Sequence, residues 1–225
     1  MVETTVIPTT WWSNGVKFAY VQDNGFSYDL MLHEGLKTED PNSDPNAEPF
    51  NIKSGKQKGS FADAYDLAVT GRVRYSGVQG LELAVYGQYQ PDLDQSAEES
   101  YADDAVLMGG HVIYQMGQFT GKALYARWEL GGDAAAFAAK DVQDGGYVEL
   151  AWEPVEQWGF FVRQSGWILT TDVEAEQTDF GFNYYPYEGI VFKGSYQIQN
   201  EEAQLEQSGA SYIGDGFSLG MGYAF

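Results

Sequence analysis

The chain has 225 residues, enough for one large β domain or a small barrel, and its 16 Tyr, 13 Phe and 6 Trp suit two belts of rings at the two faces of a bilayer. Twelve Lys and Arg stand against 33 Asp and Glu; a net charge of −21 excludes a nucleic-acid partner, because phosphates need a basic face. Cysteine is absent, which excludes a disulfide framework and a thiolate metal site, and no apolar run approaches the ~20 residues of a membrane-spanning helix.

Residues 1 to 14 start Met1-Val-Glu-Thr-Thr, with no basic segment and no apolar core of the signal-peptide kind. From residue 15 onward period-two alternation dominates, and no stretch has an amphipathic 3.6-residue repeat. A first strand is expected near 15 to 22. The next, 25 to 33, sets Phe26, Tyr28, Leu30 and Leu32 against Ser27, Asp29 and Met31. Segment 65 to 75 sets Leu67, Val69 and Val73 against Arg72 and Arg74, and 79 to 90 sets Leu81, Leu83 and Val85 against Glu82 and Tyr86. Further strands are expected at 104 to 115, 118 to 130, 145 to 154, 157 to 170, 176 to 186, 189 to 199 and 215 to 225, about eleven in all.

Two kinds of connection take turns. Asp23-Asn24-Gly25, Ser76-Gly77-Val78, Met116-Gly117, Glu153-Pro154 and Pro186-Tyr187-Glu188 are short and carry turn chemistry, whereas 34 to 64, 91 to 103, 131 to 144, 171 to 175 and 200 to 214 are longer and acidic. Short turns at one end and long loops at the other are the asymmetry of outer-membrane barrels, in which the long loops face outward. A mean hydropathy of −0.36 fits such a wall, because lipid-facing and lumen-facing residues alternate. With the C-terminus at the periplasmic end, residues 1 to 14 are expected as an external loop segment of a single domain over 1 to 225, whose meander of strands runs from 15 to 225. An odd strand count starting outside implies at least one missing N-terminal strand, and the chain is expected to be the C-terminal part of a larger barrel of about 16 strands. A free edge at the first strand is expected in consequence.

The last segment alternates Phe217, Leu219, Met221, Tyr223 and Phe225 with Ser218, Gly220, Gly222 and Ala224, and so resembles the closing strand of a bacterial outer-membrane barrel. Glu3-Thr-Thr-Val-Ile-Pro-Thr-Thr-Trp-Trp12, Ser54-Gly-Lys-Gln-Lys-Gly-Ser60, Asp66-Leu-Ala-Val-Thr-Gly-Arg-Val-Arg-Tyr75 and Phe180-Gly-Phe-Asn-Tyr-Tyr-Pro186 together resemble the C-terminal half to two-thirds of a porin related to the phosphate-selective O and P porins. That resemblance implies a water-filled, commonly trimeric barrel in the outer membrane of a Gram-negative bacterium. It also implies passive transport of small anions or other solutes, outer-membrane lipid and lipopolysaccharide as surroundings, and barrel assembly machinery engaging the last strand through Tyr223 and Phe225.

Strand parity sends Arg72, Arg74, Arg127 and Arg163 inward, with Glu82, Glu129, Glu149, Glu153 and Asp179 on the same side. A charge on the lipid face costs ~2–4 kcal/mol near the midplane, so these residues are the pore-lining candidates. Two readings stay open: a strip that guides anions, or arginines that pair with the acids and solvate the wall. Lys53, Lys56 and Lys58 form the concentrated basic patch, in a loop that reaches either an anionic solute inside or solvent outside. Acidic stretches at Glu39, Asp40, Asp44 and Glu48, and at Asp92, Asp94, Glu98, Glu99, Asp103 and Asp104, lack calcium-loop order. His33 and His111 form no zinc motif. No catalytic residue, metal or cofactor is expected. The Trp residues at 11, 12, 128, 152, 158 and 167 are expected as interface anchors. The competing expectation is a soluble or surface-attached β-sandwich that binds carbohydrate on its aromatic rings.

Overall fold

The computed structural model describes residues 2–7, 11–39, 48–96, 101–170, 173–200 and 215–224. Within them lies one eleven-stranded sheet whose strands neighbour one another in chain order: β1 (Gly15–Val21), β2 (Phe26–His33), β3 (Ala68–Tyr75), β4 (Leu81–Gln90), β5 (Ala105–Met116), β6 (Phe119–Leu130), β7 (Val142–Val155), β8 (Trp158–Thr170), β9 (Val173–Tyr187), β10 (Ile190–Gln199) and β11 (Gly216–Tyr223). The fold is an all-β, antiparallel, up-and-down meander. A sandwich needs two sheets face to face, and the described strands make one, so that alternative falls.

Alternation makes these strands, and turn glycines join them. Gly117 has φ 59 and closes the β5–β6 hairpin, whose ladder runs without a shift from Ala105↔Leu130 to Met116↔Phe119. Gly25, at φ 90, lies so close to the next turn that a Cβ there would meet the Gly77 Cα at 2.3 Å. Short turns gather at one end of the sheet and most long connections at the other. The loop expected over 171 to 175 is an exception: β8 and β9 continue to Thr170 and Val173, because Trp167 pairs with a fully buried Ala175 and draws both strands into the core. Among the described residues no ladder joins β1 to β11, so the sheet is open with a free edge on β1.

The two faces differ. On the outer face Phe18, Leu30, Val69, Val85, Val148, Val162, Phe192 and Leu219 are all exposed, Val85 at 63% and Leu219 at 73%. The inner face carries helix α1 (Val2–Thr5) and described parts of three long connections, through Leu36, Phe50 and Ile52, through Leu93 and Ala102, and through Ala135 of α2 (Asp133–Phe137). At the long-loop half of that face Val2, Val6, Leu36, Phe50, Leu93, Leu107, Trp128 and Trp167 form one buried cluster.

Hydrogen bonds knit the loops over it. Gln90, fully buried, accepts from the Leu36 N–H at 2.8 Å and donates to the Leu36 carbonyl at 2.6 Å. The Thr38 N–H donates to the Leu93 carbonyl, and Gln143 Nε2 donates to the Phe50 carbonyl at 2.7 Å. The Trp128 indole N–H donates to the Val6 carbonyl at 3.0 Å.

Residues 2–7 are therefore no free external segment. They are tucked against the inner face of β7 and β8, because Val2 and Val6 find an apolar floor there. Trp128→Ala should cost ~3–5 kcal/mol through loss of ring contacts and the cavity left behind, read as a lower denaturant midpoint in detergent.

Candidate functional site

Toward the short-turn end the inner face changes from apolar to charged. Direct cross-strand neighbours lie ~5 Å apart, and the register sets opposite charges beside one another there: Arg72↔Asp29, Lys122↔Glu149 and Glu149↔Arg163. Three ion clusters follow. Asp29 lies between Lys17 Nζ at 2.7 Å and an Arg72 guanidinium nitrogen at 2.6 Å. Glu82 takes His111 Nε2 at 3.0 Å and Arg74 at 3.5 Å, while Arg74 Nε donates to the Ser27 hydroxyl.

The third cluster centres on Glu149, which is 8% exposed. Its two oxygens accept from Lys122 Nζ at 2.8 Å and from Arg163 at 2.6 Å. Arg163 also reaches Glu3 of α1 at 3.0 Å and lies 4.1 Å above the centre of the Tyr147 ring, whose hydroxyl donates to Glu3 at 3.1 Å. A buried carboxylate costs several kcal/mol unless paired; two cations meet that need here. They also tie the N-terminal segment to the wall. Asp179 lies opposite Arg163 in register, yet its oxygens accept from Gln177 at 2.7 and 2.9 Å while Arg163 turns to Glu149 and Glu3.

Two expected wall residues lie on the other side. Arg127 and Glu129 flank the buried Trp128 on β6 and so point to the outer face, where Arg127 pairs with Glu129 at 2.9 Å and with Asp144 at 3.7 Å. Parity misassigns them because near this end the apolar row of β6 is the inner one. Leu124, Ala126, Trp128 and Leu130 resemble a lipid-facing row but pack beneath α1 and the loops.

The tryptophans divide for the same reason. Trp128 and Trp167 are core residues and not interface anchors, whereas Trp152 and Trp158 stand exposed in an aromatic belt on the outer face at the short-turn end. There Trp158 stacks on Tyr184 with ring centres 4.5 Å apart and on Phe160 at 5.8 Å.

Among the loop candidates, Lys53 and Lys58 are exposed and Lys56 is half-buried, in a segment that folds back through Phe50 and Ile52 onto the inner core. The Trp12 indole N–H holds the Lys58 carbonyl at 3.1 Å. The patch does not join the ion clusters of the wall. Asp92 and Asp94 spend their carboxylates on backbone N–H groups of residues 94 to 96 and 101. Asp40, Asp44, Glu98, Glu99 and Phe225 lie outside the described residues. Tyr223 ends β11 on the outer face, 67% exposed.

Sequence reasoning missed Glu3, Tyr147 and Lys17. Lys17 was open to discovery, since it alternates with the apolar Val16 and Phe18; Glu3 meets its partners across 144 and 160 residues, a separation no local pattern reports.

No family model matches the sequence, and no curated protein matches it. Among solved structures, the chain is similar to the Pseudomonas putida toluene transporter TodX (TM-score 0.40, 10% identity, 94% of this chain and 73% of that one). It is similar also to outer-membrane expressed OmpT of Vibrio cholerae (0.43, 12%, 94% and 88%) and to a mutant of the Rh. blastica porin (0.36, 13%, 94% and 89%). At such distances, what this chain does has to be read from its own residues.

Glu149→Ala should destabilise the fold by ~3–5 kcal/mol, since Lys122 and Arg163 lose their shared partner. Glu3→Gln, on a half-exposed group, should cost under ~1 kcal/mol; equal urea midpoints for the two variants would contradict this ranking.

Proposed function

We propose that the chain forms the wall of a porin-like channel in the bacterial outer membrane, through which small hydrophilic solutes diffuse passively. One observation carries the reading. The outer face exposes large apolar side chains on strand after strand, bounded by an aromatic belt at the short-turn end, while in that half of the sheet the ion clusters lie on the inner face. Soluble proteins rarely expose apolar patches beyond a few hundred Å², whereas a bilayer requires such a band. The surroundings are outer-membrane lipid and lipopolysaccharide, and the long-loop end faces outward.

The loops and α1 pack over the inner face at that end, so the passage is narrowest there. Further in, Arg72, Arg74 and Arg163 each meet a carboxylate. A wall paired in this way discriminates weakly between anions and cations. The finer reading, a pore for anions such as phosphate, would need a run of arginines without acid partners, so it stands second. Homotrimer formation and engagement of the assembly machinery by the C-terminal strand remain implications of the resemblance, and the exposed Tyr223 is compatible with the latter.

Planar-bilayer recording tests the proposal: refolded protein should give discrete conductance steps, and insertion without conductance would refute transport. In a salt gradient the reversal potential should stay near zero. Arg72→Ala with Arg74→Ala should move it toward cation preference, whereas Arg127→Ala, on the outer face, should leave it unchanged. The native chain has no cysteine, so single-cysteine variants report cleanly. In liposomes a membrane-impermeant maleimide should label Arg74→Cys and spare Val85→Cys and Val148→Cys.

A further inference from the structure

The Glu3 carboxylate is held at two points by wall residues that do not depend on it for their position. One oxygen accepts from Arg163 Nη1 at 3.0 Å and the other from the Tyr147 hydroxyl at 3.1 Å. Arg163 is fixed from elsewhere: Glu149 accepts from its Nε at 2.8 Å and from its Nη2 at 2.6 Å, and the guanidinium lies 4.1 Å from the centre of the Tyr147 ring. Nη1 and the tyrosine hydroxyl are thus a preformed pair of donors on the inner face, and with Glu3 withdrawn both would still point at the same place. Two buried hydroxyls beside them have no hydrogen-bond partner among the described residues. They belong to Ser165, 1% exposed and opposite Tyr147 in register, and to Tyr86, which lies across Gly109 within electrostatic reach of Glu3. A buried polar group left unpaired costs ~1–3 kcal/mol, and a ligand or its water seated on the pair would relieve that.

We infer that Arg163 and Tyr147 form a binding site for small carboxylate solutes on the wall of the passage, and that Glu3 occupies it as a competitor built into the chain. The inference deepens the channel reading above and rests on it for the solute's access. The two donors engage separate oxygens of one group, which a carboxylate offers and a halide does not. Glu149, bonded to the same guanidinium, disfavours a dianion there. Glu3 itself is displaceable: its side chain is 40% exposed, and α1 keeps its seat through Val2, Val6 and the bond from Trp128 to the Val6 carbonyl. A dissolved carboxylate therefore takes the site by moving one side chain and leaving the wall intact.

The test is calorimetric titration of the refolded chain in detergent with propionate, propionamide and inorganic phosphate. Glu3→Gln, which removes the competing charge, should bind propionate about tenfold more tightly than wild type, the scale of one charge-assisted contact. Propionamide, of the same shape without the charge, should give no saturable heat, and phosphate should bind more weakly than propionate. Added to Glu3→Gln, Tyr147→Phe should weaken propionate about tenfold, whereas Arg127→Ala on the outer face should leave it unchanged. Equal propionate affinity in wild type and Glu3→Gln, no effect of Tyr147→Phe, or binding of phosphate tighter than that of propionate would each overturn the inference. Binding in detergent needs no transport, so a protein that binds propionate but gives no conductance in a bilayer would sink the channel reading and keep the site.

Discussion

A strand has two faces, and here one of them is committed to large apolar side chains that the chain itself never covers. Most of the rest is settled on the other face: the three ion clusters and the only packed core of the described residues. That constraint explains why a sheet of this size folds its loops inward. Leu36, Phe50, Leu93 and Val6 join Leu107, Trp128 and Trp167 of the inner surface in one buried cluster. The result is an inner face divided in two, a dry half under the loops and α1 and a charged half toward the short turns.

The charged half is close to neutral although the whole chain carries −21. The excess of acid lies outside the wall's ion clusters, much of it in the connections between strands. At physiological salt the Debye length is ~8 Å, so those charges act weakly on a solute deep in the passage. Local pairs decide instead. Glu149 shows what such pairing does: it balances two cations drawn from β6 and β8, and through Arg163 it extends to Glu3 on α1. Wall electrostatics and the seating of the N-terminal segment are thereby one interaction.

All eleven strands were legible in the sequence to within a few residues, because period-two alternation and turn glycines are local signals. So were the inward positions of Arg72, Arg74, Glu82, Glu149, Arg163 and Asp179, each next to an apolar residue of the opposite row. Arg127 and Glu129 were not. On β6 the row through Trp128 is as apolar as a lipid-facing row, and nothing within 118 to 130 says that the lipid is on the other side. Trp167 poses the same difficulty on β8.

What the sequence by itself determined is the secondary structure, the meander and the amphipathic rule that one face is greasy and the other charged, since these depend on neighbours a few residues apart. Only the tertiary structure decided which apolar row faces inward, that residues 2–7 lie on the inner face, and that each wall arginine already has an acid partner. Each of these depends on register summed over many strands and on contacts more than a hundred residues apart in the chain, such as Glu3 with Arg163 and Val6 with Trp128. Alternation sets a residue's face relative to its neighbours; what then covers that face is settled only when distant segments meet.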